Sequence, residues 1–222
     1  MSNVILTGAT GMVGTLVLQR CLASDAVAKV TTLGRRATGM EHPKLREVVH
    51  EDFLDLSACA DAMEDQDIAL FCLGAYTGSV SDAVFKRITT DYLVSFAHAL
   101  HEHSPGAVFC FLSGSGADPS ERSRMAFARY KGAAENALLA TGFPRVHIFR
   151  PGYIYPVTKR SEPNFSYRLT RALYPMLRAL GPKYSITSTQ LADALVHAAL
   201  HGTGNHSDPV LENRDIIALL DS

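Results

Sequence analysis

Val4-Ile5-Leu6-Thr7-Gly8-Ala9-Thr10-Gly11-Met12-Val13-Gly14 is the stretch whose reading decides the fold. A short run of apolar β-formers enters a glycine turn. An amphipathic segment leaves it, with Val13, Leu16, Val17 and Arg20 at helical spacing. Strand, turn and helix therefore follow one another directly. Glycines at 8, 11 and 14 meet three needs: a tight turn, close approach of backbone to a pyrophosphate, and close seating of helix on strand. The free N–H groups where the helix begins suit a dianion. Gly8, Thr10, Gly11, Met12, Val13 and Gly14 are thus the expected dinucleotide contacts. The bland reading, a glycine-rich turn with no ligand, fits less well because strand and helix flank the turn in the order the motif requires.

Outward from this turn, strand and helix signals alternate. Strands are expected at Asn3–Thr7, Lys29–Leu33, Leu45–Val49, Asp67–Leu73, Ala107–Ser113 and Val146–Arg150. Helices are expected at Met12–Ala23, Ser57–Met63, Asp82–His101, Ser123–Ala140, Phe165–Leu180, Thr189–His201 and Glu212–Leu219. Ile68-Ala69-Leu70-Phe71-Cys72-Leu73 and Val108-Phe109-Cys110-Phe111-Leu112 are continuously apolar, as strands buried on both faces of a parallel sheet must be. The expected architecture is α/β: a three-layer, doubly wound parallel sheet (a Rossmann fold) with a small C-terminal cap. Residues 1–222 read as one domain, with about 151–222 forming the cap, where Pro156, Pro163, Pro175 and Pro182 punctuate the pattern.

Composition narrows the function class. The chain is 47% hydrophobic and 19% charged, and its net charge of −1 offers no electrostatic grip on nucleic acid or on an anionic membrane surface. No apolar run approaches the roughly 20 residues that span a bilayer. The chain enters its first strand without a charged leader. Cys21, Cys59, Cys72 and Cys110 lack metal-ligand spacing, and Cys72 and Cys110 sit in apolar runs where cysteine acts as a small hydrophobe. A reduced, cytoplasmic protein without disulfides is expected.

The end of the second strand selects the cofactor. A carboxylate there bonds a ribose diol, whereas arginine accommodates a 2′-phosphate. Here Thr32-Leu33-Gly34-Arg35-Arg36 carries no acid, so NADP is preferred over NAD, with Arg35 and Arg36 gripping the phosphate and stacking on adenine. Asp52 and Phe53 follow the third strand and are placed beside the adenine. Leu73, Gly74 and Ala75 end the fourth, where glycine lets backbone pass close to the cofactor ribose.

These residues resemble the short-chain dehydrogenase/reductase superfamily, in its atypical and extended members. The markers are the glycine turn, Phe71-Cys72-Leu73-Gly74, Phe111-Leu112-Ser113-Gly114-Ser115-Gly116-Ala117-Asp118, Lys131-Gly132-Ala133-Ala134-Glu135 and Arg150-Pro151-Gly152. The pattern is most similar to the Tat-interacting-protein-like branch, whose members bind NADPH. The resemblance implies about seven parallel strands and a loop, Arg150-Pro151-Gly152-Tyr153, that flanks the nicotinamide. It also implies a homodimer pairing the helices near 82–101 and 123–140.

The superfamily's catalytic unit is a serine with Tyr-x-x-x-Lys, whose i,i+4 spacing sets both side chains on one helix face. Tyrosine acts as general acid to a carbonyl receiving hydride, lysine holds the ribose, and serine bonds the substrate oxygen. Lys131 matches the lysine, but four residues earlier stands Phe127, which has no proton to give. Tyr130 is the nearest substitute, although a straight helix turns it about 100° from Lys131. Tyr153 is another, against the plainer reading of an aromatic lid, and Tyr76 a third. Ser113 and Ser115 end the fifth strand on one face, as contacts to a substrate oxygen or as loop caps, with Ser115 slightly favoured. His197 and His201 are an i,i+4 pair without the glutamate of a zinc protease motif, and no metal site is expected. Lys159, Arg160, Arg168 and Arg171 make a mildly basic stretch that reads as solvated.

Two functions follow. One is an NADP(H)-binding oxidoreductase of a small carbonyl-type substrate with an altered catalytic motif. The other is a non-catalytic NADP(H)-binding regulatory protein that reports redox state. An epimerase or dehydratase is a weaker third, because the region after Arg150 is short for a large substrate lobe.

Overall fold

β1 (Ser2–Thr7) is the centre from which the sheet grows in both directions. The computed structural model describes residues 1–75, 78–158, 174, 181, 183–204 and 206–221. β2 (Val27–Gly34) and β3 (Leu45–Val49) extend the sheet on one side of β1. β4 (Ile68–Phe71), β5 (Val108–Leu112) and β6 (Arg145–Arg150) extend it on the other. β7 (Tyr153–Tyr155) and β8 (Ser185–Thr187) form a separate parallel pair, and β9 (Val210–Glu212) adds a seventh strand beside β6. The main order is β3-β2-β1-β4-β5-β6-β9, every pair parallel. The chain reverses its direction of growth between β3 and β4, so a crevice opens at the carboxyl ends of β1 and β4, where such sheets bind ligands.

Strand alternation divides the core. Val4 and Leu6 of β1 and Ile68 and Leu70 of β4 face one helix layer, while Ile5, Ala69 and Phe71 face the other. The first layer is α1 (Gly14–Ala23), α6 (Ser188–His201) and α7 (Asn213–Ala218). The second is α2 (Ala60–Met63), α4 (Tyr92–His103) and α5 (Ala126–Ala140). Both faces are covered, which explains the unbroken apolar runs of β4 and β5.

The expected boundaries shift for local reasons. The helix expected over 82–101 is α3 (Asp82–Lys86), one π-helical turn at Arg87–Asp91, and α4. The helix expected to begin at Ser123 begins at Ala126, because the Asp118 carboxylate accepts the N–H groups of Ser120, Arg122 and Ser123 and holds that segment as a turn. The helix expected over Glu212–Leu219 is α7, with Glu212 as its cap, and the strand before it, β9, is three residues long and too short to show a period. α6 starts at a capping box between Thr187 and Gln190. After Pro151, then, α6 and β9 belong to the main layers, and the β7–β8 pair stands beside them. The helix expected over Phe165–Leu180 lies outside the described residues, Tyr174 apart, as do Tyr76, Lys159, Arg160, Arg168 and Arg171.

Candidate functional site

The glycine turn is shaped by contacts as well as conformation. Gly8 adopts φ +75°, and a Cβ there would stand 2.5 Å from the Cys72 carbonyl oxygen of the neighbouring strand end. A Cβ on Gly14 would overlap the Gly8 carbonyl. The Gly11 N–H donates to that same Gly8 oxygen at 2.9 Å, and the Thr15 hydroxyl donates to Ala9 O at 2.9 Å, closing the turn. Val13 precedes the helix with no side-chain cap, so the first amides of α1 carry no side-chain acceptor. Val13 is buried and Met12 packs on the core, leaving exposed Thr10 at the rim. The cradle fits a pyrophosphate.

The residues after β2 and β3, expected at the far end of a nucleotide, divide differently. Arg35 and Arg36 stand exposed, with no ion pair among the described residues, so both guanidiniums are available to a phosphate. Asp52 is exposed and accepts the Leu54 N–H at 2.9 Å, so it caps its own turn. The Phe53 side chain is not available to adenine: it is buried, 5.4 Å from the Tyr92 ring centre to centre, because an aromatic ring facing α4 belongs to the core. Leu73 packs against the core, and Gly74 and Ala75 follow it. A Cβ on Gly74 would meet nothing within 4 Å, so no contact inside the chain demands glycine there.

A buried charge network occupies the ends of β5, β6 and β9. Glu135 of α5, 2% exposed, receives the Ser113 hydroxyl and two donors of Arg150, Nε at 3.0 Å and Nη2 at 2.5 Å. Arg150 also donates to Glu212 at 3.2 Å. The two serines differ in surroundings: Ser113 is committed to Glu135, whereas Ser115 is exposed, and its N–H donates to Pro151 O at 2.9 Å. Gly152 is held by Asn213, whose Oδ1 accepts its N–H at 2.7 Å, and a Cβ there would stand 2.5 Å from Tyr184 O. Tyr153 pairs with the β8 side through its N–H to Tyr184 O at 2.9 Å, and its ring lies 6.5 Å from that of Tyr174. The loop carrying Pro151, Gly152 and Tyr153 is thus built from both sides.

Lys131 is 7% exposed, donates to Leu112 O at 3.1 Å and lies 4.8 Å from the centre of the Phe111 ring. Burial pulls its ammonium down to about 8, with Glu135 pulling the other way. Phe127 sits with Cζ, where a tyrosine would carry its hydroxyl, 2.8 Å from the place a Gly114 Cβ would take. Tyr130 turns elsewhere: its hydroxyl donates to Asp82 at 2.7 Å and its ring packs by Phe85. The carboxylate raises the phenol's pKa, so Tyr130 is neither aimed at the Lys131 face nor tuned to release a proton. Burial pushes the thiols of Cys21 and Cys72 up to about 12 and raises that of Cys110 as well, so these sulfurs are inert.

Sequence reading missed the partners rather than the motifs. Glu135, Arg150 and the adjacent pair Glu212 and Asn213 lie apart in the chain, and no spacing links the three places. Gly132 is explained only by packing, since a Cβ there would overlap the Asp118 carbonyl.

The chain belongs to the NAD(P)H-binding family, whose match spans residues 8–201. Among curated proteins it is 28% identical over 220 residues to protein HTATIP2 of Rattus norvegicus, covering 98% of this chain and 88% of that protein. It is 31% identical over 169 residues to the mitochondrial protein fmp52 of Emericella nidulans, covering 73% and 71%. Among solved structures, the Bordetella bronchiseptica enzyme WbmH in complex with NAD+ superposes with a TM-score of 0.68 at 18% identity, covering 92% of this chain and 73% of that one. At that identity the likeness is one of fold. Among the described residues, no helix is long and apolar enough to cross a membrane.

Proposed function

We propose that this member of the NAD(P)H-binding family is an NADP(H)-dependent oxidoreductase acting on a small carbonyl-type substrate in a reducing, cytoplasmic setting. The observation that carries the reading is a buried ammonium, Lys131, at the same strand edge as the glycine turn. A buried lysine with a backbone carbonyl as its neutral partner costs stability, and the cost is explained if the ammonium holds a ligand.

The roles divide by distance from the chemistry. The amides of the Gly8–Gly14 turn hold the pyrophosphate. Arg35 and Arg36 hold the 2′-phosphate that distinguishes NADP from NAD. Lys131 donates to the ribose hydroxyls. Tyr153 closes over the nicotinamide side of the Pro151–Gly152 loop and excludes water. Bound NADPH supplies the hydride. The Ser115 hydroxyl donates to the substrate oxygen, and water replaces the phenol that Phe127 lacks.

The test is consumption of NADPH with a panel of aldehydes, ketones and quinones. Turnover with any of them that is lost in Lys131→Ala supports the reading. Tight NADPH binding with no consumption across the panel rejects it and favours the second reading, a non-catalytic NADP(H)-binding regulatory protein. Phe127 is the observation behind that alternative, and Phe127→Tyr separates the two: activity appearing only in the variant means that wild type is a binder.

A further inference from the structure

Beyond the carboxyl ends of β5, β6 and β9 lies a cavity of about 420 Å³, lined by Ser115, Lys183, Tyr184, Glu212, Asn213 and Arg214. Its size suits a small molecule rather than a macromolecule. Three chain segments build it: the loop after β5, the residues leading into β8, and the passage from β9 to α7. Its wall is fixed by Asn213, whose Oδ1 accepts the Gly152 N–H at 2.7 Å and whose Nδ2 donates to Ser185 O at 3.0 Å.

The charges around it are unequal in availability. Glu212 looks like an acid facing the cavity, yet its carboxylate accepts from Arg150 at 3.2 Å and from a backbone N–H of α7. Arg214 pairs with Asp215 only at 3.5 Å and is largely exposed. Lys183 makes no ion pair among the described residues, its ammonium lying 5.8 Å from the centre of the Tyr184 ring. Of the charged side chains in the lining, Lys183 and Arg214 are cations and Glu212 is an anion, so the cavity wall carries one net positive charge. Ser115, the serine that Glu135 does not engage, stands in the same wall.

We propose that this cavity selects carbonyl compounds carrying an anionic tail, a carboxylate or a phosphate, which Lys183 and Arg214 meet while the carbonyl oxygen lies at Ser115. The proposal deepens the oxidoreductase reading and rests on it. Arginine and lysine together recognise planar and tetrahedral oxyanions alike, so the tail's identity is left to experiment.

The experiment titrates 4-oxobutanoate, glyceraldehyde 3-phosphate and butanal by calorimetry into the chain alone and into the chain saturated with NADP+. Turnover of each with NADPH is followed in parallel. At least one anionic aldehyde is expected to bind tenfold or more tightly than butanal, and Lys183→Ala is expected to bring it down to the level of butanal. Butanal binding as tightly as both anions, or Lys183→Ala leaving the preference intact, overturns the proposal while the oxidoreductase reading stands. Phosphate binding that disappears in Arg35→Ala overturns it too, since the ligand then sits at the nucleotide end. An anion preference without any NADPH turnover instead fails the oxidoreductase reading and leaves the cavity's selectivity in place.

Discussion

The glycine turn after β1 and the charge network at the ends of β5, β6 and β9 stand at one edge of one sheet, yet they are built on opposite terms. The turn uses almost no side chains. Its shape comes mostly from residues within seven positions of one another, with the Cys72 carbonyl against Gly8 as the one distant wall, and the first amides of α1 have no side-chain cap. The network uses side chains drawn from Ser113 to Glu212 and satisfies itself internally, with Glu135 receiving donors from Ser113 and Arg150. A local site can stay open because the backbone holds its form. A long-range site must be closed by its own partners, because an unpaired buried charge is costly.

Breaking the network is expected to have the largest effect. Glu135→Ala leaves the largely buried Arg150 with only the half-exposed Glu212 carboxylate at 3.2 Å, and removing one partner of a buried pair costs about 3–5 kcal/mol. For a chain of this size that is a fall in Tm of roughly 10 °C, read by thermal unfolding. A change under 2 °C would mean that solvent reaches the pair freely. The turn comes next. Gly14→Ala forces a Cβ into the Gly8 carbonyl, and overpacking of this kind costs about 1–3 kcal/mol. Because it moves the amides themselves, NADPH affinity is expected to fall at least tenfold even where the chain remains folded.

Two smaller effects sharpen the contrast at the ligand. Arg35→Ala and Arg36→Ala together remove charge-assisted bonds worth about 1.5–3 kcal/mol, so NADPH affinity is expected to drop by tenfold or more while NADH affinity holds. Equal losses for both nucleotides would reject the arginines as the selector. The smallest is a pH effect. Lys131 is charged below about 8 and neutral above it, whereas its ordinary value is 10.5. The ammonium's grip on a ribose is therefore present below pH 8 and lost above it, so the Kd for NADPH is expected to rise through pH 8 and to flatten in Lys131→Met. Stability runs the other way. Between 8 and 10.5 the unfolded chain binds more protons than the folded one, so Lys131 destabilises least at the alkaline end.

The parallel sheet was readable because its causes are local. Continuous apolar runs mark β4 and β5, and alternation with amphipathic segments orders them around the glycine turn. β9 was not, since three residues carry no period and the strand exists only because β6 offers an open edge. The start of α5 was misplaced because the Asp118 carboxylate competes for the same N–H groups as the helix. Ser115 and Ser113 were indistinguishable as residue types; Glu135, 22 positions on from Ser113, separates them. Tyr130 illustrates the same limit, since its partner Asp82 lies 48 positions away.

The amino-acid sequence by itself determined the doubly wound sheet, the glycine turn after β1 and the phenylalanine four residues before Lys131, because backbone conformation and residue identity need no distant partner to act. Only the tertiary structure decided which serine is free, where Tyr130 points and which cation faces an open cavity. Those are questions of which side chain finds a partner first, and in a folded chain the nearest partner is seldom the nearest in sequence.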